Sequence, residues 1–437
     1  MDSAPQEWLP WDSSGDSPES MLEEEFPMTT ASTSALDTVA ELEPQHTDTV
    51  RATLPVIAAR IDDITAEFYR RLFAAHPDLL RNTFNRGNQA QGEQQRALAA
   101  SIATFATHLV DPALPHPRQL LSRIGHKHAS LGVVPEQYPV VHEHLFAAIV
   151  HVLGEAVTPE VAAAWDRVYW LMADTLMGFE RELYDGAGVA PGAVFREVRV
   201  VDRIDDPAAT ATFVVEATGD DPLPDFVPGQ YVSVGADLPD GARQLRQYSL
   251  VNAPGAGRLA FAVRRVTGVD GRPDGEVSSW LHDDVAVGDR LQITLPFGDL
   301  TIDNAASTPL VLISAGIGAT PMVGILEYLA ATGSQRQVLA LHADRSAATH
   351  PLRALQAELV SALPRAGLQV WYEEGAAPAH TGLLSLTGVD LPADADVYLC
   401  GGTGFLQAAR AQVRAAGIAD ERIHFELFAP NDWLLDA

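Results

Sequence analysis

The chain has 437 residues, too many for one hydrophobic core, so several domains are expected. Its formal charge of −29 repels nucleic-acid phosphate, and its one cysteine, Cys400, rules out an internal disulfide and a cysteine-ligated iron–sulfur cluster. No run of 18 apolar residues is available to span a membrane, and no basic start precedes an apolar leader, so a cytoplasmic protein is expected.

The first 50 residues hold 12 Asp and Glu but no Lys or Arg. Residues 1–40 are rich in Ser, Thr and Pro, with too little apolar surface to repay ordering, and are expected to form a disordered acidic tail. Residues 41–184 follow a helical period: Ile61, Ile64, Phe68 and Leu72 fall on one face, and breaks occur at 111–117 and at Pro135. An all-helical domain of that span is predicted. A Gly-, Ala- and Pro-rich linker occupies 185–192. Beyond it the period becomes 2, with strands predicted at Val194–Val201, Ala211–Ala217, Tyr231–Val234, Leu245–Val251 and Leu259–Val266. Turn residues separate them at the spacing of a small antiparallel β-barrel over 193–303. From 304 to 437, apolar runs such as Leu310–Ile313, Val338–His342 and Val397–Cys400 alternate with helical stretches, which predicts a parallel α/β domain.

Two glycine turns stand at strand ends in this last region. Gly316, Ile317, Gly318, Ala319, Thr320 and Pro321 join a strand to a helix start, and Cys400, Gly401, Gly402, Thr403, Gly404 and Phe405 repeat the arrangement later. Glycine lets the backbone approach a pyrophosphate, and the helix start offers free N–H groups. In the barrel, Arg246 and Tyr248 share one face of an extended segment that also holds Gln247 and Ser249, so a cation and a ring can meet the same ligand. Gly275, Glu276, Val277 and Ser278 then begin a helix, another seat for phosphate.

These four motifs, in this order, resemble the ferredoxin–NADP reductase superfamily over residues 193–437. The resemblance implies that Tyr231, Arg246, Gln247, Tyr248 and Ser249 hold FAD, with Gly275, Val277 and Ser278 facing its pyrophosphate and Phe428 near the flavin ring. It implies that Gly316, Ile317, Gly318, Ala319, Thr320 and Pro321, with Cys400, Gly401 and Gly402, hold NADH or NADPH. Ala319 and Gly402 stand where Gln and Pro are commoner, which leaves the choice between the two nucleotides open.

The helical half needs an electron acceptor other than an iron–sulfur cluster. It holds nine histidines, and a single imidazole is the usual proximal ligand of a globin haem, but composition does not choose among them. Of the 29 basic residues only Lys127 is a lysine, and it lies between His126 and His128. A site that needs a compact ammonium in place of a planar guanidinium would explain its retention; chance survival is the plain alternative.

The segment from Ala66 to Phe73, the pair Phe84 and Asn85, the stretch from Asn88 to Leu98, Lys127 and His128 followed by Pro135 to Tyr138, and Phe179 to Glu182 together resemble the flavohaemoglobins over residues 42–437. The resemblance implies a globin carrying haem b fused to the FAD- and NAD(P)H-dependent reductase. By it, His128 is the proximal iron ligand, backed by Tyr138 and Glu180. Tyr69 and Gln94 are distal donors, Phe84 and Leu98 shape the haem pocket, and Lys127 pairs with Glu426 between the halves. The activity it implies is nitric oxide dioxygenase: NAD(P)H reduces FAD, FAD reduces the haem iron, and dioxygen at the haem converts nitric oxide to nitrate. A monomer with these small-molecule substrates is expected. Two other functions use most of the same residues, an NAD(P)H-dependent reductase of dioxygen, quinones or peroxides, and a ligand sensor or store with an attached reductase. Tyr69, Gln94 and the Tyr138–Glu180 pair favour reactive chemistry, because a simple carrier needs no proximal push.

Overall fold

The computed structural model describes residues 41–90, 92–114, 117–219, 222–268, 272–374 and 379–428. The expected acidic tail, residues 1–40, lies outside the described residues, as does His116.

The first part of the described chain is all-helical: α1 (Pro44–Ala58), α2 (Ile61–Ala75), α3 (Pro77–Asn82), α4 (Arg86–Ala90), α5 (Glu93–Val110), α6 (Arg118–Leu131), α7 (Gln137–Leu153) and α8 (Pro159–Gly186). The apolar period read for α2 is the period that packs, since Ile64, Phe68 and Leu72 are buried and Ile61 lies against the same core. Each such side chain stabilises the fold by about 1.5–3 kcal/mol relative to exposure. Helix α8 starts where Thr158 accepts a hydrogen bond from the Val161 N–H ahead of Pro159, so its first turn is capped and its φ preset.

The second part holds β1 (Phe195–Asp206), β2 (Thr210–Ala217), β3 (Tyr231–Asp237), β4 (Arg243–Ser249), β5 (Arg258–Arg264), α9 (Glu276–Asp284) and β6 (Arg290–Thr294). The strands pair antiparallel in the order β4-β3-β6-β1-β2-β5, and a bridge between Leu250 and Phe261 draws the two ends of the sheet together. The five predicted strands are present. Strand β6 was not predicted: only Leu291 and Ile293 face inward in its five residues, too short an alternation to stand out.

The third part comprises β7 (Leu310–Ala315), α10 (Ala319–Ala331), β8 (Val338–Asp344), α11 (Arg353–Ala362), β9 (Ala366–Tyr372), β10 (His380–Thr381), β11 (Asp396–Gly401), α12 (Thr403–Ala415) and β12 (Ile423–Leu427). All pairs are parallel, in the order β10-β9-β8-β7-β11-β12. The chain moves outward from β7 to β10 and then returns to the other side of β7. The β7/β11 junction is therefore a topological switch point, where open α/β sheets bind ligands at their carboxyl ends. Both glycine turns lie there. No helix among the described residues is long and apolar enough to cross a membrane.

Candidate functional site

His128 sits in the last turn of α6, Tyr138 in the first turn of α7 and Glu180 in the buried face of α8. Gly125, one turn before His128, sets their separation. A Cβ there would lie 2.9 Å from Cβ of Phe179, the neighbour of Glu180, so only glycine lets α6 approach α8 this closely. His128 Nδ1 consequently lies 2.8 Å from Glu180 Oε1, and the Tyr138 hydroxyl donates to the same oxygen. A carboxylate can only accept, so Nδ1 carries the proton and Nε2 is left as a lone-pair donor facing away from Glu180. Nε2 has no hydrogen-bond partner among the described residues, which fits an imidazole poised to hold an iron–porphyrin. Burial, reinforced by the charge of Glu180, pushes the Tyr138 phenol far above its ordinary range and keeps it a donor.

Tyr69 projects from α2 and is 5% exposed. Its ring stacks on Phe73 at 5.5 Å and meets Phe84 edge-on at 5.8 Å. Desolvation raises its pKa, so the phenol keeps its proton. The Gln94 side chain is half-buried and makes no hydrogen bond among the described residues, whereas the Gln89 amide acts on the Tyr69 phenol and opposes the rise in its pKa. Gln95 Nε2 donates to Gln89 Oε1 at 3.1 Å, while Gln89 Nε2 and Gln95 Oε1 are buried with no partner. Leu98 and Phe84 are partly buried against the helical core.

A cleft of about 710 Å³ opens between the barrel, α6 and the end of β12. It gathers Tyr231, Arg246, Gln247, Tyr248, Ser249, Gly275, Val277, Ser278 and Phe428, residues drawn from four separate stretches of sequence. The Arg246 guanidinium donates to Leu245 O at 2.8 Å, Asn85 Oδ1 at 2.8 Å and Gln244 Oε1 at 3.3 Å, and no carboxylate is bonded to it. Burial lowers its pKa against the weaker pull of Glu276, and a desolvated cation with no carboxylate bonded to it favours an anion such as a cofactor phosphate. The cleft's size and this cation fit FAD. Tyr248 lies parallel to Phe261 at 5.7 Å, which fixes its ring.

At the switch point the two glycine turns touch. A Cβ on Gly318 would lie 2.3 Å from the Cys400 carbonyl oxygen and 2.9 Å from Gly401 N, so the turns close on each other only because both are bare backbone. Gly316 and Ile317 are half-exposed and Gly402 is exposed, while Ala319, Thr320 and Pro321 are buried beneath them. Cys400 is fully buried, and burial pushes its thiol well up, so its part in this site is that of backbone.

Lys127 and Glu426 both line the cleft, and no ion pair joins the two among the described residues. The α6 cation that reaches β12 is Arg123, one turn earlier. It donates to the Phe425 carbonyl and lies 4.1 Å from the centre of the Phe425 ring. On the barrel side, the Gly298 N–H donates to His126 Nδ1 at 3.0 Å. A one-way donor chain runs from Gln247 Nε2 to Ser233 Oγ, on to Ser130 Oγ, and ends at the Lys127 carbonyl. Arg123, Gly125 and Gln89 were not singled out in the sequence; their roles depend on helix crossings that no local pattern records.

Comparison with known proteins agrees with this architecture. The globin family model matches residues 66–176, and the model of the oxidoreductase NAD-binding domain matches residues 312–411. The flavohemoprotein of Rhizobium meliloti (strain 1021) is 40% identical over 397 residues, covering 88% of this chain and 97% of that protein. That of Chromobacterium violaceum is 40% identical over 403 residues, covering 89% and 99%. A crystal structure of flavohemoglobin from Malassezia yamatoensis with bound FAD and heme superposes with a TM-score of 0.81 at 36% identity, covering 89% of this chain and 100% of that one. The FAD/NAD-binding domain of nitric oxide dioxygenase from Vibrio cholerae O1 biovar El Tor gives a TM-score of 0.51 at 35% identity, covering 53% and 98%.

Proposed function

Because this chain belongs to the flavohaemoprotein family, NAD(P)H-dependent oxidoreductases that carry haem and FAD, we propose that it is a nitric oxide dioxygenase that consumes dioxygen and nitric oxide and yields nitrate. The observation that carries the proposal is the Glu180 carboxylate, which accepts from both His128 and Tyr138. When bound, the nucleotide, flavin and haem supply hydride, its division into single electrons, and the iron at which dioxygen meets nitric oxide.

The residues prepare the site for that chemistry. Glu180 holds the proton on His128 Nδ1 and makes Nε2 more basic, the proximal push that a reactive centre needs and a carrier does not. Tyr138 donates to the same oxygen of this buried carboxylate and so shares in its solvation. On the opposite side Tyr69 offers its O–H to a ligand that gains negative charge, with Gln94 and Gln89 as further donors within reach of the pocket. Phe73, Phe84 and Leu98 exclude water from that side. In the reductase half, Arg246 and the amino end of α9 hold FAD phosphates, Tyr231, Gln247, Tyr248 and Ser249 orient the flavin, and Phe428 covers it. Gly316 to Pro321 and Cys400 to Gly402 receive the nicotinamide nucleotide, and Lys127 gives the cleft a mobile ammonium on the globin side.

Rapid mixing of nitric oxide with the NADH-reduced, oxygenated protein tests the proposal. Nitrate in many-fold excess over protein is expected. Decay of nitric oxide no faster than in buffer would leave the oxygen reductase and sensor readings in its place.

A further inference from the structure

Strand β4 reaches past the flavin cleft into the globin. Its residue Gln244 is 1% exposed and belongs to none of the four reductase motifs. Its Nε2 donates to the carbonyls of Arg81 at 2.9 Å and Phe84 at 3.2 Å, where α3 ends and the corner before α4 begins. Its Oε1 accepts from the Arg86 N–H at 3.3 Å and from Arg246 at 3.3 Å. One amide therefore bonds backbone groups on both sides of the corner, and it shares an oxygen with the cation of the cleft. Arg246 makes a second link to the same corner through Asn85 Oδ1. Flanking ion pairs from Arg86 to Asp240 and Glu276 pin the corner to the barrel and to α9.

That corner carries Phe84, whose ring lies edge-on to Tyr69. The path from the cleft to the distal phenol is thus Arg246, Gln244 with Asn85, Phe84, Tyr69, every step a contact between neighbours. The three bonds leave two of the five guanidinium N–H groups for an anion, and an anion held there competes for the cation that Gln244 Oε1 and Asn85 Oδ1 share. The corner then settles differently around the ring that abuts Tyr69. We infer that Gln244 is a positioning residue that couples occupancy of the flavin cleft to the environment of the distal Tyr69. The inference rests on the reading that FAD engages Arg246 and that the haem lies between Tyr69 and His128. Coupling of this kind is reciprocal: whatever the flavin does to a distal ligand, the ligand does to flavin affinity.

The test uses the full haem-loaded chain stripped of FAD, reduced and held under carbon monoxide. FAD is titrated in while the C–O infrared band and the flavin fluorescence are followed together. In the parent protein the band is expected to shift with the same midpoint as flavin binding. In Gln244→Leu, FAD should bind about tenfold more weakly, because buried groups lose their partners, and the band should no longer follow it. Gln244→Glu keeps the acceptor for Arg86 and Arg246 but cannot donate to the two carbonyls; it too should lose the band shift. A parent band indifferent to saturating FAD would overturn the coupling without need of any variant, so misfolding of Gln244→Leu does not protect the inference. Variants whose band follows FAD as the parent's does would remove Gln244 from the path. Failure of the parent to bind FAD at all is a different result, and would sink the flavin cleft along with the coupling.

Discussion

The surroundings of His128 and of Tyr69 differ in how their donors are committed. Around His128 one carboxylate oxygen, Glu180 Oε1, takes both available protons while Oε2 is buried without a partner, and a glycine contact fixes the helices that bring them together. On the distal side two neighbouring amides satisfy only one bond between them and leave Gln89 Nε2 and Gln95 Oε1 buried without partners. The difference separates two tasks. An imidazole that holds iron must act alike from turnover to turnover, which calls for donors committed to one acceptor, whereas substrates must enter and leave past the distal groups, which calls for donors not already committed.

The contrast can be broken at either side. Tyr69→Phe removes the distal donor and should speed dioxygen release about 10²-fold in flash photolysis while leaving flavin reduction by NADH unchanged. An unaltered release rate would show that the phenol is only packing against Phe73 and Phe84. Glu180→Gln removes the proximal charge and leaves only a neutral acceptor, and haem affinity or turnover should fall about 10- to 100-fold, with a lower iron–histidine stretching frequency in Raman spectra. A normal frequency would mean that the proximal network has no hold on the iron.

Gly125→Ala sharpens the comparison because two effects oppose. Alanine gains about 1 kcal/mol of helix propensity, but its Cβ would lie 2.9 Å from Phe179, an overpacking that costs about 1–3 kcal/mol. A net loss in urea denaturation is expected, together with a weaker proximal signature; a gain in stability would show that α6 can retreat without consequence. A smaller effect is expected far from the pocket. His350 hydrogen-bonds Tyr372 and Gln356 and stacks on His342 at 3.7 Å. Burial, followed by the neighbouring His342, pulls its pKa from 6.5 down to about 3. The unfolded chain therefore takes up its proton first, and the stability His350 contributes above pH 6.5 is lost as pH falls toward about 3. The steepest possible slope is about 1.4 kcal/mol per pH unit for one group. His350→Gln should flatten denaturation midpoints measured across that window, leaving the residual slope due to His342, whose pKa is also lowered by burial.

Much of this was legible in the sequence, for reasons that also mark where reading stops. The period of α2 and the alternation of the barrel strands are local, and each element buries the face its pattern marks. His128, Tyr138 and Glu180 converge because the resemblance supplied their partnership; 52 residues separate the first from the last, and no spacing alone would have joined them. Gln89 was hidden because its reach to Tyr69 depends on the short α4 and the turn after it. Arg123 and Lys127 lie four residues apart on one face of α6, so a choice between them needs the rotation of the helix, and the structure gives the contact with β12 to Arg123. Gln244 looked like any polar residue of a strand. Its function lies in backbone carbonyls about 160 positions away.

The central claim is that electrons from the nucleotide reach an iron held by His128. Its most direct test is the visible spectrum of the intact protein as NADH is added without oxygen. The account predicts a haem Soret band together with flavin absorbance, the flavin bleaching and the Soret band then shifting to the ferrous position. A protein that is only yellow, or a Soret band that stays ferric after the flavin has bleached, would contradict it.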